Sequence, residues 1–189
     1  MARPKSEDKR QAILAAAIAV FANQGLGAAT AKIARRAGVS EGTLFNYFSN
    51  KDALLNALYL ELKNELSSVM LPGFPDGQDL RGKAFHIWRR YIEWGVENPD
   101  KRQSMALLGL SDRVDASTRE KAMAGFVEVN RVIHHSVADG SFCGRSPDFA
   151  GAIMGALAET TMDFIGRERD KAEFYTTMGF DAFWRAIAG

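Results

Sequence analysis

Apolar residues recur along this chain at three- and four-residue steps, the period of a helix with one buried face. Ile13, Leu14, Ala17, Ile18 and Phe21 make the first such stripe and predict a helix from about Glu7 to Asn23, broken by Gly25 and Gly27. Shorter helices are predicted from Thr30 to about Ala37, with Thr30 as its cap, and from Glu41 to Tyr47. Leu54, Leu55, Leu58, Leu62, Leu66 and Val69 mark a long helix from Lys51 to about Met70, with Asn50 placed to cap it. The proline- and glycine-rich run LPGFPDGQD then interrupts the pattern. Beyond it, helices are expected over about 79–97, 100–110, 117–138, 146–166 and 170–187. No segment alternates as a strand does, so the expected class is all-α, with about nine helices.

The stretch TAKIARRAGVSEGTLFNYFSNK, Thr30 to Lys51, reads as two short helices around a tight turn. Ala34 is small enough for a close crossing, Gly38 supplies a left-handed residue, and Leu44 fills the gap. Ser40 is a good N-cap. A seven-residue helix is marginal alone. Leu44, Phe45 and Phe48 are therefore expected to hold the Glu41–Tyr47 helix by packing. Its other face carries Glu41, Gly42, Thr43, Asn46 and Tyr47, a small, polar and aromatic surface suited to a major groove and its phosphates. Thr43 and Tyr47 are one turn apart and can reach phosphates. Asn46 can read a base edge, and Gly42 lets the backbone approach. Lys51 opens the next helix with a positive charge. Glu41 repels phosphates unless it pairs with a cytosine amino group. The expected division is 1–50 as a DNA-binding domain and 51–189 as a ligand-binding and dimerisation domain, with helix 51–70 joining them.

The chain's net charge is +1, but its distribution is uneven. Residues 1–55 carry 8 Lys/Arg against 4 Asp/Glu, whereas the remainder is net negative. A basic front on an acidic body fits nucleic acid at one end. Cys143 is the single cysteine, which rules out a disulfide framework and points to the cytoplasm. The basic residues near the start, followed by an apolar run, imitate a leader. Glu7 and Asp8 interrupt that pattern, and the helical stripe predicts a packed helix instead. No apolar run approaches the ~18 residues of a membrane span.

Catalysis finds little support. Gly77 to Lys83, GQDLRGK, matches a phosphate-loop spacing, but Ala84 stands where a magnesium-binding hydroxyl belongs. His134 and His135 are adjacent and point ~100° apart on a helix, so they do not chelate. No metal and no cofactor is expected, and the chain is read as a non-enzyme. Phe85, Trp88, Tyr91 and Ile92 share one face of helix 79–97; Tyr59, Phe126, Ile133 and Met154 add apolar bulk on other helices. By spacing alone this is core or ligand pocket. Gly151, Gly155 and Ala158 allow close helix crossing, and with Phe180, Phe183 and Trp184 they are expected to form a dimer interface.

The run IARRAGVSEGTLFNYFSNKDALL, Ile33 to Leu55, is similar to the DNA-binding signature of the TetR family of transcriptional regulators. The likeness covers residues 7 to about 58. ARPKSEDKR and ALAETTMDF further resemble a multidrug-responsive branch of that family. The resemblance implies a homodimer that represses transcription from a palindromic operator on double-stranded DNA. A small hydrophobic or aromatic inducer, whether cationic or neutral, would release it. It also implies a phosphate contact at Thr30 and ligand contacts at Tyr59, Trp88, Met154 and Glu159; Glu159 is either the counter-charge to a cationic ligand or an exposed side chain. The rival expectation is a helical small-molecule-binding protein or enzyme with no role on DNA.

Overall fold

The computed structural model describes residues 6–138 and 147–188. Among these, all regular structure is helical: ten α-helices and two short 3-10 turns. They are α1 (Glu7–Gln24), α2 (Thr30–Arg36), α3 (Glu41–Tyr47), α4 (Lys51–Met70), α5 (Leu80–Glu97), α6 (Pro99–Gly109), α7 (Ala116–Met123), α8 (Val127–Ala138), α9 (Pro147–Arg167) and α10 (Ala172–Ala188). The helix expected over 117–138 is two helices, α7 and α8, separated by a 3-10 turn at Ala124–Phe126. No helix among the described residues is long and apolar enough to cross a membrane. Cys143 and residues 1–5 lie outside the described residues.

The chain forms two compact units. One holds residues up to Glu65 together with Asn98–Ala124, and the other Leu66–Glu97 with Gly125 onward. These units do not coincide with a division after residue 50, because α6 returns to pack along α1. Ser104, fully buried, donates to the Ile18 carbonyl at 3.0 Å. Such a pairing joins residues 86 apart and leaves no mark on local periodicity.

In the first unit the core is built as the stripes require. Ile13, Leu14, Ala17 and Phe21 of α1, Ile33 and Ala34 of α2, Leu44 of α3 and Leu54, Leu55, Leu58 and Leu62 of α4 are all buried. The α2–α3 turn is closed by two hydrogen bonds. Gly38 N–H returns to the Arg35 carbonyl, and Val39 N–H to the Ala34 carbonyl at 3.0 Å. This pair ends a helix when the residue after its cap turns left-handed, and Gly38 sits at φ +69°. Ser40 Oγ accepts the Thr43 N–H and caps α3, while Asn50 Oδ1 accepts the Ala53 N–H and caps α4.

The second unit is centred on α5, α9 and α10. Trp88 is fully buried, stacks on Phe183 at 5.8 Å and donates its indole N–H to the Thr176 carbonyl. Gly179 lets α10 close on this cluster. A Cβ there would stand 2.2 Å from Thr161 Oγ1 and 2.8 Å from Trp88 Cζ2.

Candidate functional site

The face of α3 opposite Leu44 is open. Glu41, Gly42 and Asn46 are exposed, and Thr43 and Tyr47 are half-buried. An added Cβ on Gly42 would find only Ser40 Oγ, at 3.9 Å, so this surface is clear of neighbours. One expectation needs correction. Phe45 does not hold the helix; it is 40% exposed, whereas Leu44 is 0% and Phe48 5% exposed. The core beneath a helix this short takes only the i and i+4 positions, so the side chain next to Leu44 turns outward. Periodicity could have shown this, because Leu44 and Phe48 already occupy the buried row.

The remaining expected contacts are tied into the fold. Tyr47 Oη accepts the Ser6 backbone N–H at 3.0 Å, which fixes the start of α1 beside α3. Lys51 Nζ donates to the Ala28 carbonyl at 2.6 Å and stands 5.9 Å from the centre of the Phe21 ring. Burial, and then the positive charge of Arg113, hold the Lys51 pKa below its usual value, with Asp52 opposing. Thr30 is not the cap of α2. Ala29 occupies that position, and the Thr30 hydroxyl instead donates to Glu41 Oε1 at 2.5 Å. Arg35 and Arg36, at the end of α2, are exposed and add positive charge to the same segment.

A second constellation surrounds Tyr59, a buried residue of α4. Lys63 Nζ lies 5.8 Å from its ring centre and the Arg119 guanidinium 5.7 Å. Arg119 also donates to the carbonyls of Gly109, Ser111 and Val114 and thereby shapes the α6–α7 loop. Burial lowers the Lys63 pKa, and Arg119 lowers it further; burial raises that of Tyr59, and Arg119 draws it partly back. The adjoining loop grips the start of α4. Arg113 Nε donates to Asp52 Oδ1 at 2.5 Å, and Asn56 bonds both the Arg113 carbonyl and the Asp115 N–H. Lys63 is one helical turn from Tyr59 on α4, so spacing could have paired them. Arg119, Arg113 and Asp115 were not visible from spacing, since they meet α4 from 57–61 residues away.

The other expected ligand residues divide by burial. Trp88, Ile92, Phe126 and Met154 are buried, and Phe85, Tyr91, Ile133 and Glu159 are half-buried. The Trp88 ring already stacks on Phe183 and has spent its N–H. Of the expected dimer residues, Ala158, Phe180 and Phe183 are buried within the second unit, where Phe180 and Phe183 pack against Trp88. Gly151, Gly155 and Trp184 are half-buried. The exposed apolar surface of α9 and α10 is elsewhere. A groove of about 300 Å³ runs between them, lined by Leu157, Phe164, Tyr175, Met178 and Ala182 among others, with Phe164 42% and Met178 54% exposed. Among the described residues no group of acidic, histidine and cysteine side chains is placed to hold a metal ion.

Comparison with known proteins agrees with this geometry. Residues 13–58 match the family model of bacterial regulatory proteins, tetR family. Over 63 residues the chain is 40% identical to the HTH-type transcriptional regulator BetI 2 of Chromohalobacter salexigens, a match spanning 33% of this chain and 30% of that protein's length. Its fold is similar to that of a TetR family transcription regulator from Marinobacter aquaeolei VT8, with a TM-score of 0.82 at 20% identity over 96% of each chain. It is also similar, with a TM-score of 0.80, to a tetR family transcription regulator from Shewanella sp. PV-4; that match covers 96% of this chain and 98% of the other. At 32% identity over nearly the whole of both chains, and with the helix-turn-helix in the matched segment, the chain belongs to the TetR family of transcription regulators.

Proposed function

We propose that this chain is a repressor that binds a palindromic operator as a homodimer in the cytoplasm and leaves it when a small hydrophobic molecule binds the body. The observation that carries the DNA part is α3, held by Leu44 and the Gly38 turn, with Asn46, Thr43 and Gly42 on its open face. Asn46 reads a base edge, and Thr43 and Tyr47 contact phosphates. Lys51 adds its charge from the position where it ties down the α1–α2 loop. The test is selection from random double-stranded DNA. The enriched site should be a near palindrome with half-site centres about 10 base pairs apart, the spacing a symmetric dimer requires. Asn46→Ala should change preference at one or two positions, by about 1–3 kcal/mol each. Tyr47→Ala should weaken all sequences alike, because phosphate contacts carry no sequence information. Binding that stays unchanged in both variants would remove α3 from the interface.

Dimerisation is assigned to the apolar groove face of α9 and α10, with Gly151 and Gly155 on the same helix α9 permitting close approach and the half-buried Trp184 on α10 as a further candidate. Phe164 and Met178 are large apolar side chains left in water by the single chain, and burying them is the natural driving force.

The inducer is assigned to the body, with Trp88, Phe85, Tyr91, Ile92, Phe126, Ile133, Met154 and Glu159 of the second unit as candidate contacts and Tyr59 as a separate candidate in the first unit. The finer likeness to the multidrug-responsive repressor RamR favours a flat aromatic cation, with Glu159 as counter-charge. The charges at Tyr59 favour the opposite sign. Its ring already faces two cations, Lys63 and Arg119, so a third would be repelled and an anionic group welcomed. Proteins of this fold with other ligands illustrate both chemistries. LfrR of Mycobacterium smegmatis, 17% identical with a TM-score of 0.67, is known in complex with proflavine. FadR of Bacillus subtilis, 17% identical with a TM-score of 0.66, is known with stearoyl-CoA. Titrating matched twelve-carbon carboxylate, alcohol and trimethylammonium amphiphiles separates the two. The carboxylate should bind most tightly, and Lys63→Met should erase its lead over the alcohol. If the trimethylammonium compound binds best, the RamR-like ligand class is the correct one.

A further inference from the structure

Residues 30–47 contain three cations, Lys32, Arg35 and Arg36, and a single acid, Glu41. A lone carboxylate on a surface meant for phosphates weakens binding to every sequence, unless a base repays it. Glu41 is exposed at the first turn of α3 and does not cap that helix, since Ser40 Oγ takes the Thr43 N–H. Its Oε1 instead accepts the Thr30 hydroxyl at 2.5 Å, a bond that reaches across the turn from α2. Among the described residues no hydrogen bond reaches Oε2 of this exposed side chain, so the lone pairs of the second oxygen are available. A threonine so engaged has spent its only proton and has none to offer a phosphate.

We infer that Glu41 is a specificity-determining residue whose Oε2 accepts the N4 amino proton of a cytosine in the major groove, and that Thr30 is its positioning residue rather than a phosphate contact. This rests on the reading of α3 as the DNA-reading helix. The chemistry selects one base. Thymine presents O4, and guanine presents O6 and N7, all acceptors that repel a carboxylate. Adenine offers an N6 proton, but its neighbouring N7 lone pair faces the same carboxylate. Cytosine N4 has an acceptor, the paired guanine O6, on one side only, whereas adenine N6 lies between N7 and the paired thymine O4. Glu41 therefore acts by rejection as much as by attraction: it lowers affinity for arbitrary DNA and restores it where the cytosine is present.

The experiment is quantitative binding selection on random DNA with the full-length protein, Glu41→Gln, Thr30→Val and Thr30→Ser. The wild type should require cytosine at one position of each half-site, by about tenfold over the other bases. Glu41→Gln should shift that position toward adenine, whose N6 and N7 a glutamine can bond together, and should bind random DNA more tightly. Thr30→Val keeps the shape and loses the hydroxyl. It should blunt discrimination at that same position several-fold and leave the other positions unchanged, whereas Thr30→Ser should retain it. A site identical for wild type and Glu41→Gln overturns the role of Glu41. A uniform loss of affinity in Thr30→Val, with a shallower salt dependence, overturns the role of Thr30 and makes it a phosphate contact. If the wild type enriches no sequence at all, it is the DNA-binding reading that fails.

Discussion

Positions 38 and 179 both favour glycine, for opposite reasons. Gly38 stands at φ +69°, and a Cβ there would meet nothing within 4 Å. Its cost on substitution is conformational alone. Gly38→Ala should lose about 1–2 kcal/mol, the penalty of a left-handed residue with a Cβ, and Gly38→Asn less, because asparagine tolerates that region. Gly179 has room in its dihedrals but none in space, with Thr161 Oγ1 and Trp88 Cζ2 in the way. Gly179→Ala should cost about 1–3 kcal/mol by overpacking. Urea unfolding monitored by circular dichroism measures both. In a binding assay only the Gly38 variants should also lose DNA affinity, since Gly38 aims α3 and Gly179 packs against Thr161 and Trp88 within the second unit. A Gly38→Ala protein as stable as wild type would show that the turn can close without a left-handed residue.

At the scale of elements, α4 is gripped at its start rather than resting on apolar contacts alone. Arg119 of α7 donates to three carbonyls of the α6–α7 loop, and that loop places Arg113 on Asp52 and its backbone on Asn56. Remove the guanidinium and three carbonyls lose their donor together. Arg119→Ala should therefore destabilise the first unit by about 2–4 kcal/mol, from hydrogen bonds to a charged group and the acceptors left behind. Arg119→Lys should recover little, because a compact ammonium cannot span three acceptors as a planar fork does. Denaturant midpoints give the loss, and hydrogen exchange at Ser111–Val114 should show where it falls. Equal stability of the lysine variant and wild type would mean that charge, not the fork, holds the loop. The exposed Arg113–Asp52 pair contributes less, as solvent-facing ion pairs do.

For the whole molecule, the proposed dimer is tested best at Gly155. A Cβ there would find open space, so a larger side chain does not disturb the chain's own packing. Gly155→Glu should fold normally, yet sediment as a monomer and bind the operator poorly, because two carboxylates would be buried against each other. Phe180→Ala should behave differently. Phe180 is 1% exposed inside the second unit, so its truncation should cost about 3–5 kcal/mol of stability before it affects assembly. A Gly155→Glu protein that remains a dimer would move the interface away from this part of α9.

Local order was legible in the sequence. The helical stripes, the Gly38 turn, the Ser40 and Asn50 caps and the buried row at Leu44, Leu54, Leu55, Leu58 and Leu62 follow from residue spacing and backbone chemistry, which act over four residues or fewer. The polar face of α3 followed for the same reason, since what is not buried on a short helix is available. Only the tertiary structure decided where side chains go once the helices meet. It gave the Thr30 hydroxyl to Glu41 and Tyr47 to the Ser6 backbone, and packed Phe180 and Phe183 onto Trp88 instead of leaving them as surface anchors. It also divided the chain by returning α6 to α1 and brought Arg119 to the Tyr59 ring. These outcomes depend on contacts between distant segments. A periodic pattern states that a residue is buried or exposed, but it does not say against which partner.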